Sequence, residues 1–212
     1  MQLTIARFAA LAVAVAAWSG LVVQFIASTG LTGSIGQAIW SMVRYFTVIT
    51  NLLVAGLFTA IALGHDARPK LIGMVSLAIL LVGIVYATML RGLIELSGGA
   101  ALADFLLHSV TPVMVPLWWL AFAPRGGLGW RDPWQWALLP LAYFAYALAR
   151  GGIEGRYAYP FMDVASLGWP AVLSTAGLMA AGFVVGGYAL IAISAMRADR
   201  GGPFGSRLSE RP

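Results

Sequence analysis

Apolar residues occur in long runs of about 20 with few charged side chains, and these runs constrain the fold more than any other feature. An α-helix of about 20 apolar residues spans the hydrocarbon core of a bilayer. Hydrophobic residues make up 60% of the 212-residue chain and charged residues 10%, whereas a soluble domain carries about 25% charged residues. The composition therefore excludes a soluble globular or disordered protein and predicts an all-α, polytopic membrane protein.

Six apolar runs predict six transmembrane helices, packed in one bundle that covers residues 1–196. Short segments that contain Gly, Pro, Asp and Ser, which favour turns, separate the runs. The predicted helices cover residues 7–28, 38–63, 71–92, 101–122, 134–150 and 170–196. The remaining segment, 197–212, is polar and basic, and we expect a flexible cytoplasmic tail there.

The positions of the basic residues predict the orientation, because cytoplasmic loops carry an excess of Lys and Arg. With six spans both termini lie on one side, and that side collects nine of the 13 basic residues. They are Arg7, Arg68, Lys70, Arg125, Arg131, Arg197, Arg200, Arg207 and Arg211. The opposite side has Arg91, Arg150 and Arg156. We therefore expect both termini in the cytoplasm.

Composition also bears on location and partners. The basic residues are 12 Arg and one Lys, in a chain rich in Ala, Gly and Pro. Codons for these amino acids are GC-rich, which favours a bacterial source and predicts the bacterial inner membrane. The motif Gly182-x-x-x-Gly186 allows two helices to approach closely and favours a homodimer. We expect no nucleic-acid partner.

Ionisable side chains inside predicted spans mark a candidate site, because burying such a group in a membrane costs at least a few kcal/mol. Arg44 lies in the second span, and Asp104 and His108 lie in the fourth. In the predicted orientation both helices run inward from the outer surface. At about 1.5 Å per residue, Arg44 and Asp104 lie roughly 5–9 Å below that surface.

Helical spacing predicts that these residues share faces with other polar side chains. The two predicted stripes are Arg44, Thr47 and Asn51 on the second span, and Asp104, His108 and Thr111 on the fourth. If the stripes face each other, Arg44 pairs with Asp104 and His108 reaches Thr47. An alternative role for Asp104 is to orient His108.

Three more residues are expected around the same cavity, near the outer leaflet. Arg91 closes the outer end of the third span, and Tyr159 and Asp163 follow the fifth span in the last outer loop. The chain has no Cys and only two His, which the predicted topology places on opposite sides of the membrane. A metal site or a bis-histidine haem is therefore not expected, and any nucleophile must be a hydroxyl or a carboxylate.

Three segments together resemble one family. They are 44–51 (RYFTVITN), 107–112 (LHSVTP) and 159–163 (YPFMD). Their order and spacing are similar to those of the androgen-induced protein family and the related androgen-dependent TFPI-regulating protein, which has a bacterial branch of six-span proteins. The resemblance covers most of the chain in span number, but it is specific only in these segments.

The resemblance implies an integral-membrane threonine hydrolase that cleaves fatty acid esters of hydroxy fatty acids, without a cofactor. By motif, the catalytic Thr falls on Thr47 and the catalytic His on His108. A shift in register would place the nucleophile at Thr50 instead. The position of the Asp or Asn that follows the family's catalytic Thr is taken here by Thr50 and Asn51.

The expected mechanism uses His108 as general base toward the Thr47 hydroxyl, which attacks a lipid ester carbonyl. Asn51 and Tyr45 are candidate oxyanion donors, and Arg44 is placed to hold a substrate carboxylate. One alternative is a transporter for a small acid or a proton, with Arg44, Asp104 and His108 as a relay. Another is a lipid-binding membrane protein without catalytic activity.

Overall fold

The computed structural model describes residues 2–124 and 126–199. Within those ranges the secondary structure is helical and includes no strand, as the sequence predicts. Most of the predicted tail, with Arg200, Arg207 and Arg211, lies outside the described residues, as does Arg125. Residues 197–199 of that segment are not tail but the last turn of a helix.

Eight α-helices follow one another along the described chain. They are α1 (Gln2–Thr32), α2 (Ile35–Met42), α3 (Phe46–Ala62), α4 (Pro69–Val85), α5 (Gly98–Phe105), α6 (Thr111–Phe122), α7 (Asp132–Glu154) and α8 (Val164–Asp199). A π-helical turn, Tyr86–Leu90, extends α4, and a second, Leu106–Val110, joins α5 to α6. A short 3-10 helix, Pro160–Met162, precedes α8.

Helix α1 packs against α3 along a buried stripe of small and medium side chains. The stripe consists of Ala10, Val13, Ala14, Ala17 and Leu21. Its spacing of three, four and seven residues keeps it on one face of the helix. Because three of the five residues are Ala, α3 can lie close to α1, as is typical of helix pairs in membranes.

Four helical segments are long and apolar enough to cross a membrane. They are Thr4–Thr32, Pro69–Leu90, Gly98–Phe122 and Val164–Arg197. The pair α2 and α3 adds a fifth if it is counted as one bent span. Length and composition therefore support a membrane protein with four or five candidate spans, fewer than the six predicted.

The predicted continuous helix 38–63 is wrong, because the chain turns by 96° between α2 and α3. Tyr45 is extended there, with φ −100° and ψ 131°. The carbonyl oxygens of Val43 and Arg44 accept hydrogen bonds from the hydroxyls of Tyr146 (3.3 Å) and Tyr143 (2.7 Å) on α7. These tertiary bonds replace the intrahelical ones that a continuous helix would have used.

The helix is irregular beside Pro112, where it forms the π turn Leu106–Val110. Proline has no N–H, so Pro112 cannot donate to the carbonyl of His108 as a regular helix requires. The N–H of Thr111 donates to the carbonyl of Leu106, five residues earlier. The turn thus rotates His108 relative to a regular helix.

Helix α4 approaches this turn at Gly83. A Cβ added at Gly83 would lie 2.6 Å from the Cβ of Pro112, which is closer than carbon atoms can pack. The absence of a side chain at Gly83 therefore lets the C-terminal end of α4, and the π turn with Tyr86 that follows it, lie against the His108 turn.

Replacing Gly83 with Ala should destabilise the protein by about 1–3 kcal/mol, because the new methyl group overpacks the contact with Pro112. Thermal unfolding in detergent micelles measures the effect. Gly56→Ala is the matched control, since Gly56 has no neighbour within 4 Å of a built Cβ and Ala has the higher helix propensity. Equal melting temperatures for the two variants would contradict this account of the α4–α6 contact.

Candidate functional site

Thr47 is the second residue of α3 and its exposed fraction is 4%. Its Oγ1 lies 3.1 Å from Nε2 of His108, within hydrogen-bonding distance. The expected contact between the second and fourth predicted spans is therefore present. It joins the first turn of α3 to the π turn between α5 and α6.

The other ring nitrogen of His108 faces Asp104. Nδ1 lies 3.0 Å from Asp104 Oδ1 and 3.2 Å from the Asp104 carbonyl oxygen. Since both neighbours are acceptors, Nδ1 carries the proton in the neutral imidazole. The lone pair of Nε2 then points at Thr47, whose hydroxyl can donate to it. Asp104 thus lies where the alternative role considered above, that of orienting His108, would require it.

Tyr86, which the sequence reasoning did not single out, completes this group of side chains. Its hydroxyl donates to Asp104 Oδ2 at 2.5 Å. Its ring stacks on the His108 ring, with centroids 4.5 Å apart and planes 19° apart. The sequence carries one signal for Tyr86, which is its predicted depth in the membrane. Tyr86 lies five residues before Arg91 and hence near the predicted outer end of the third span. We call Thr47, His108, Asp104 and Tyr86 the relay.

Asn51 braces the relay rather than offering a free donor. Its exposed fraction is 0%, and its Nδ2 donates to the carbonyls of Thr47 (2.9 Å) and Leu107 (3.2 Å). Its Oδ1 accepts a hydrogen bond from Thr111 Oγ1 at 2.7 Å. The expectation that Asn51 is an oxyanion donor is therefore wrong, because both N–H groups are already used.

Two other candidates on α3 lie away from the imidazole. Thr50 is fully buried, and its Oγ1 has no hydrogen-bond partner among the described residues. The structure therefore brings Thr47, and not Thr50, to His108. Tyr45 is the N-cap residue of α3, and its ring packs edge-on against Tyr159 with centroids 5.9 Å apart.

Arg44 does not pair with Asp104. It lies in the bend before α3, so it does not continue the helical stripe of Thr47 and Asn51. Its guanidinium forms an ion pair with Glu154 and donates to the carbonyl of Arg156 at 2.6 Å. The polar groups predicted to share one cavity thus form two separate clusters.

The second cluster joins the bend to the end of α7. Arg150, 5% exposed, donates to Glu154 Oε1 at 2.7 Å and to the Trp40 carbonyl at 2.7 Å. Its guanidinium carbon lies 4.0 Å from the centroid of the Trp40 ring, at cation–π distance. Glu154 pairs with both Arg44 and Arg150, so this cluster is a clamp that holds the bend against the end of α7. The Arg44 guanidinium is already bound to protein groups, so its contacts do not support the expected role of holding a substrate carboxylate.

Tyr159 lies at the N-terminal end of α3, as the position of its segment suggested. The N–H of Phe46 donates to the Tyr159 hydroxyl oxygen at 3.1 Å, which places that hydroxyl beside the first turn of α3, where Thr47 follows Phe46. Burial raises the pKa of the Tyr159 phenol, so the hydroxyl keeps its proton and can donate. The Tyr159 phenol therefore lies at the start of α3, next to Thr47.

Asp163 and Arg91 lie outside the relay. Asp163 caps α8, accepting hydrogen bonds from the N–H groups of Ala165 (3.0 Å) and Ser166 (3.2 Å) and from the Ser166 hydroxyl (2.6 Å). The Ser166 hydrogen bond is the main reason that the pKa of Asp163 falls below its ordinary value. Arg91 is exposed just beyond the π turn that holds Tyr86. Neither residue has a contact that supports the expected role.

A cavity of about 100 Å³ begins at Thr47 and is almost entirely apolar. It lies between α3, α4, α7 and α8, with the 3-10 helix Pro160–Met162 at one end. Its polar groups are Thr47, Tyr143 and Tyr159. A hydroxyl group that contacts an imidazole on one side and an apolar cavity on the other suits chemistry on a lipid.

The described part of the chain has no group of three or more His, Asp or Glu side chains that could hold a metal ion. Comparisons with protein-family models, with curated proteins and with solved structures found no match. The resemblance described above therefore depends on the three sequence segments alone. A functional interpretation has to come from the geometry of the site.

The stacking of Tyr86 on His108 can be tested with diethyl pyrocarbonate, which modifies neutral imidazole. His65 is exposed in a loop and serves as an internal reference, since the chain has only two His. We expect Tyr86→Leu to speed modification of His108 relative to His65, because the covering ring is lost. Tyr86→Phe keeps that ring and should stay close to wild type. Equal rates in both variants would contradict the stacked arrangement.

Proposed function

We propose that the chain is an intramembrane lipid-ester hydrolase with Thr47 as nucleophile and His108 as general base. Its proposed substrates are fatty acid esters of hydroxy fatty acids or similar acyl esters. The observation that supports this most strongly is the hydrogen-bonded series Thr47 Oγ1, His108 Nε2, His108 Nδ1 and Asp104 Oδ1. We also propose membership of the bacterial six-span branch of the androgen-induced protein family.

In the first half-reaction the Thr47 oxygen attacks the ester carbonyl carbon, and its proton moves to His108 Nε2. Asp104, held by the Tyr86 hydroxyl, stabilises the resulting imidazolium through Nδ1–H. The tetrahedral intermediate then collapses. The bond to the alcohol oxygen breaks, and that oxygen takes the proton from Nε2 as it leaves.

In the second half-reaction water hydrolyses the acyl-threonine. His108 takes a proton from water, the hydroxide attacks the acyl carbon, and the Thr47 oxygen leaves and regains that proton. The products are a fatty acid and the restored hydroxyl. General acid–base help of this kind is typically worth about 10²–10⁴-fold in rate.

The oxyanion is best placed at the N-terminal end of α3. Backbone N–H groups there are not used by the helix itself and favour negative charge. Phe46 N–H and the Tyr159 hydroxyl, which contact each other at 3.1 Å, lie beside Thr47. The Phe46 N–H donates to the Tyr159 hydroxyl oxygen, so it is occupied, as are the N–H groups of Asn51. The Tyr159 O–H remains to donate to the oxyanion, and it takes the role that the sequence suggested for Asn51 and Tyr45.

The proposal includes six spans with both termini in the cytoplasm of a bacterial inner membrane. Helix α7 is the predicted span that is missing from the four or five candidate spans described above. Its 23 residues nevertheless extend about 35 Å at 1.5 Å per residue. The hydrocarbon core of a bilayer is about 30 Å thick. The charged residues of α7 lie near its two ends, at Asp132, Arg150 and Glu154, which is compatible with crossing.

The first experiment is labelling of the purified protein with a fluorophosphonate probe, followed by peptide mapping of the adduct. We expect an adduct on Thr47 that is lost in His108→Ala, together with loss of ester hydrolysis in Thr47→Ala and His108→Ala. Thr50→Ala is the matched control and should keep both the adduct and the activity, because the Thr50 hydroxyl has no hydrogen bond to His108.

Three outcomes would overturn this assignment. An adduct on Thr50 would keep the reaction class and move the nucleophile by one helical turn. Ester hydrolysis that persists in folded Thr47→Ala and His108→Ala proteins would exclude the mechanism. A folded wild-type protein without any adduct or hydrolysis would favour the transporter or the lipid-binding alternative instead.

Topology can be tested with single cysteines, because the chain has none of its own. In intact cells an impermeant thiol reagent should label Ser97→Cys and Arg156→Cys. It should label Asp66→Cys and Arg131→Cys only after permeabilisation. All four positions are exposed. The decisive pair is Arg131 and Arg156, which flank α7: labelling of both from the same side would show that α7 does not cross.

A further inference from the structure

The cavity beside Thr47 has a defined direction. On α7 its lining follows one helical stripe that includes Ala137, Leu141 and Phe144. On α8 it follows Ala176, Ala180 and Phe183. Both stripes have spacings of three and four residues, so each is a single face turned toward the other helix. The cavity therefore follows α7 and α8, with one opening at Leu141, which is 48% exposed. We call this cavity the channel.

One end of this channel lies at the relay and the other is closed. At the relay end Thr47 is joined by Phe46, whose ring lies 5.0 Å from that of Tyr143. At the closed end Phe183 is 2% exposed and packs in a buried cluster with Trp136 and Ala137. From Ala176 to Phe183 the channel runs about 10 Å at 1.5 Å per residue.

His108 does not line the channel, and neither does any other described residue of the helical segment Gly98–Phe122. This separation determines how an ester can lie. The leaving alcohol oxygen must reach His108 Nε2 to take its proton, so the alcohol part lies on the imidazole side of Thr47. The acyl part, on the other side of the carbonyl carbon, points away from His108 and toward the channel.

We propose that the channel binds the acyl chain of the ester, and that its floor at Phe183 limits the length of that chain. An extended hydrocarbon chain advances about 1.2 Å per C–C bond, so the channel, about 10 Å long, matches the length of roughly eight carbons. The alcohol part lies outside it and is not selected for length there. This proposal rests on the hydrolase function proposed above. It adds that the acyl part of the ester, and not the alcohol part, is selected for its length.

Two isomeric esters separate the two sides of the substrate. Ethyl octanoate has its long chain on the acyl side, and octyl acetate has it on the alcohol side. Ala180→Phe places a ring inside the channel. We expect kcat/KM for ethyl octanoate to fall relative to that for octyl acetate by roughly tenfold or more. The reason is that even one methylene in an apolar pocket changes selectivity by about 10–200-fold. Leu178→Phe, on the exposed face of α8 at 76% exposure, is the matched control and should leave the ratio unchanged.

If Ala180→Phe does not give a monodisperse protein in detergent, Ala176→Phe tests the same channel four residues nearer to Thr47. An equal loss for both isomers in a folded variant would overturn the proposal. So would a selective loss of octyl acetate, because the channel would then hold the alcohol.

A binding measurement keeps this inference separate from the hydrolase itself. An octanoic acid analogue with a terminal diazirine should cross-link to peptides of α7 and α8 at the closed end of the channel, including Ala137 and Phe183. Labelling should persist in Thr47→Ala and fall in Ala180→Phe. Turnover without channel labelling would leave the proposed function standing and overturn the acyl assignment. Channel labelling without any turnover would support acyl binding and remove the hydrolase.

Discussion

The hydrogen bonds of Asn51 are the interaction on which the candidate site depends. A fully buried amide in an apolar bundle must find partners, because an unsatisfied polar group there costs several kcal/mol. Asn51 meets this demand by bonding to α3 itself, at Thr47, and to the opposite helix, at Leu107 and Thr111. One side chain thereby fixes the depth and rotation of α3 against the π turn of His108. The 3.1 Å contact between Thr47 and His108 follows from that register.

The bend between α2 and α3 has a second consequence for the chemistry. It makes Thr47 part of a helix N-terminus, where the first backbone N–H groups have no partner within the helix, and that of Phe46 donates to the Tyr159 hydroxyl instead. A straight second span would have used those N–H groups inside the helix. The bend is held by the hydroxyls of Tyr143 and Tyr146 and by the clamp of Arg44 with Glu154. Arg44, the charged residue closest in sequence to Thr47, therefore affects the site by stabilising the bend.

The relay and the channel meet at one hydroxyl group. Asp104, Tyr86 and His108 form the polar side of Thr47, and the helices α4, α7 and α8 form its apolar side. An ester has the same division, with a polar carbonyl between two hydrocarbon parts. In the proposed reaction the ester carbonyl lies at Thr47, the acyl part lies in the channel, and the alcohol part lies on the side of His108.

The sequence by itself determined the class of the protein and much of the site. Apolar runs are local, so they predict helices in a membrane, and a spacing of four residues suffices to place Thr47 beside Asn51, and Asp104 beside His108, on single faces. Other features depend on partners distant in sequence, which no local pattern records. The chain bends at Arg44 because hydroxyls about 100 residues away bind its carbonyls, and Tyr86 reaches Asp104 because Gly83 lets α4 approach Pro112. Only the tertiary structure decided these, since a helix's rotation and a carbonyl's partner are fixed when the helices pack.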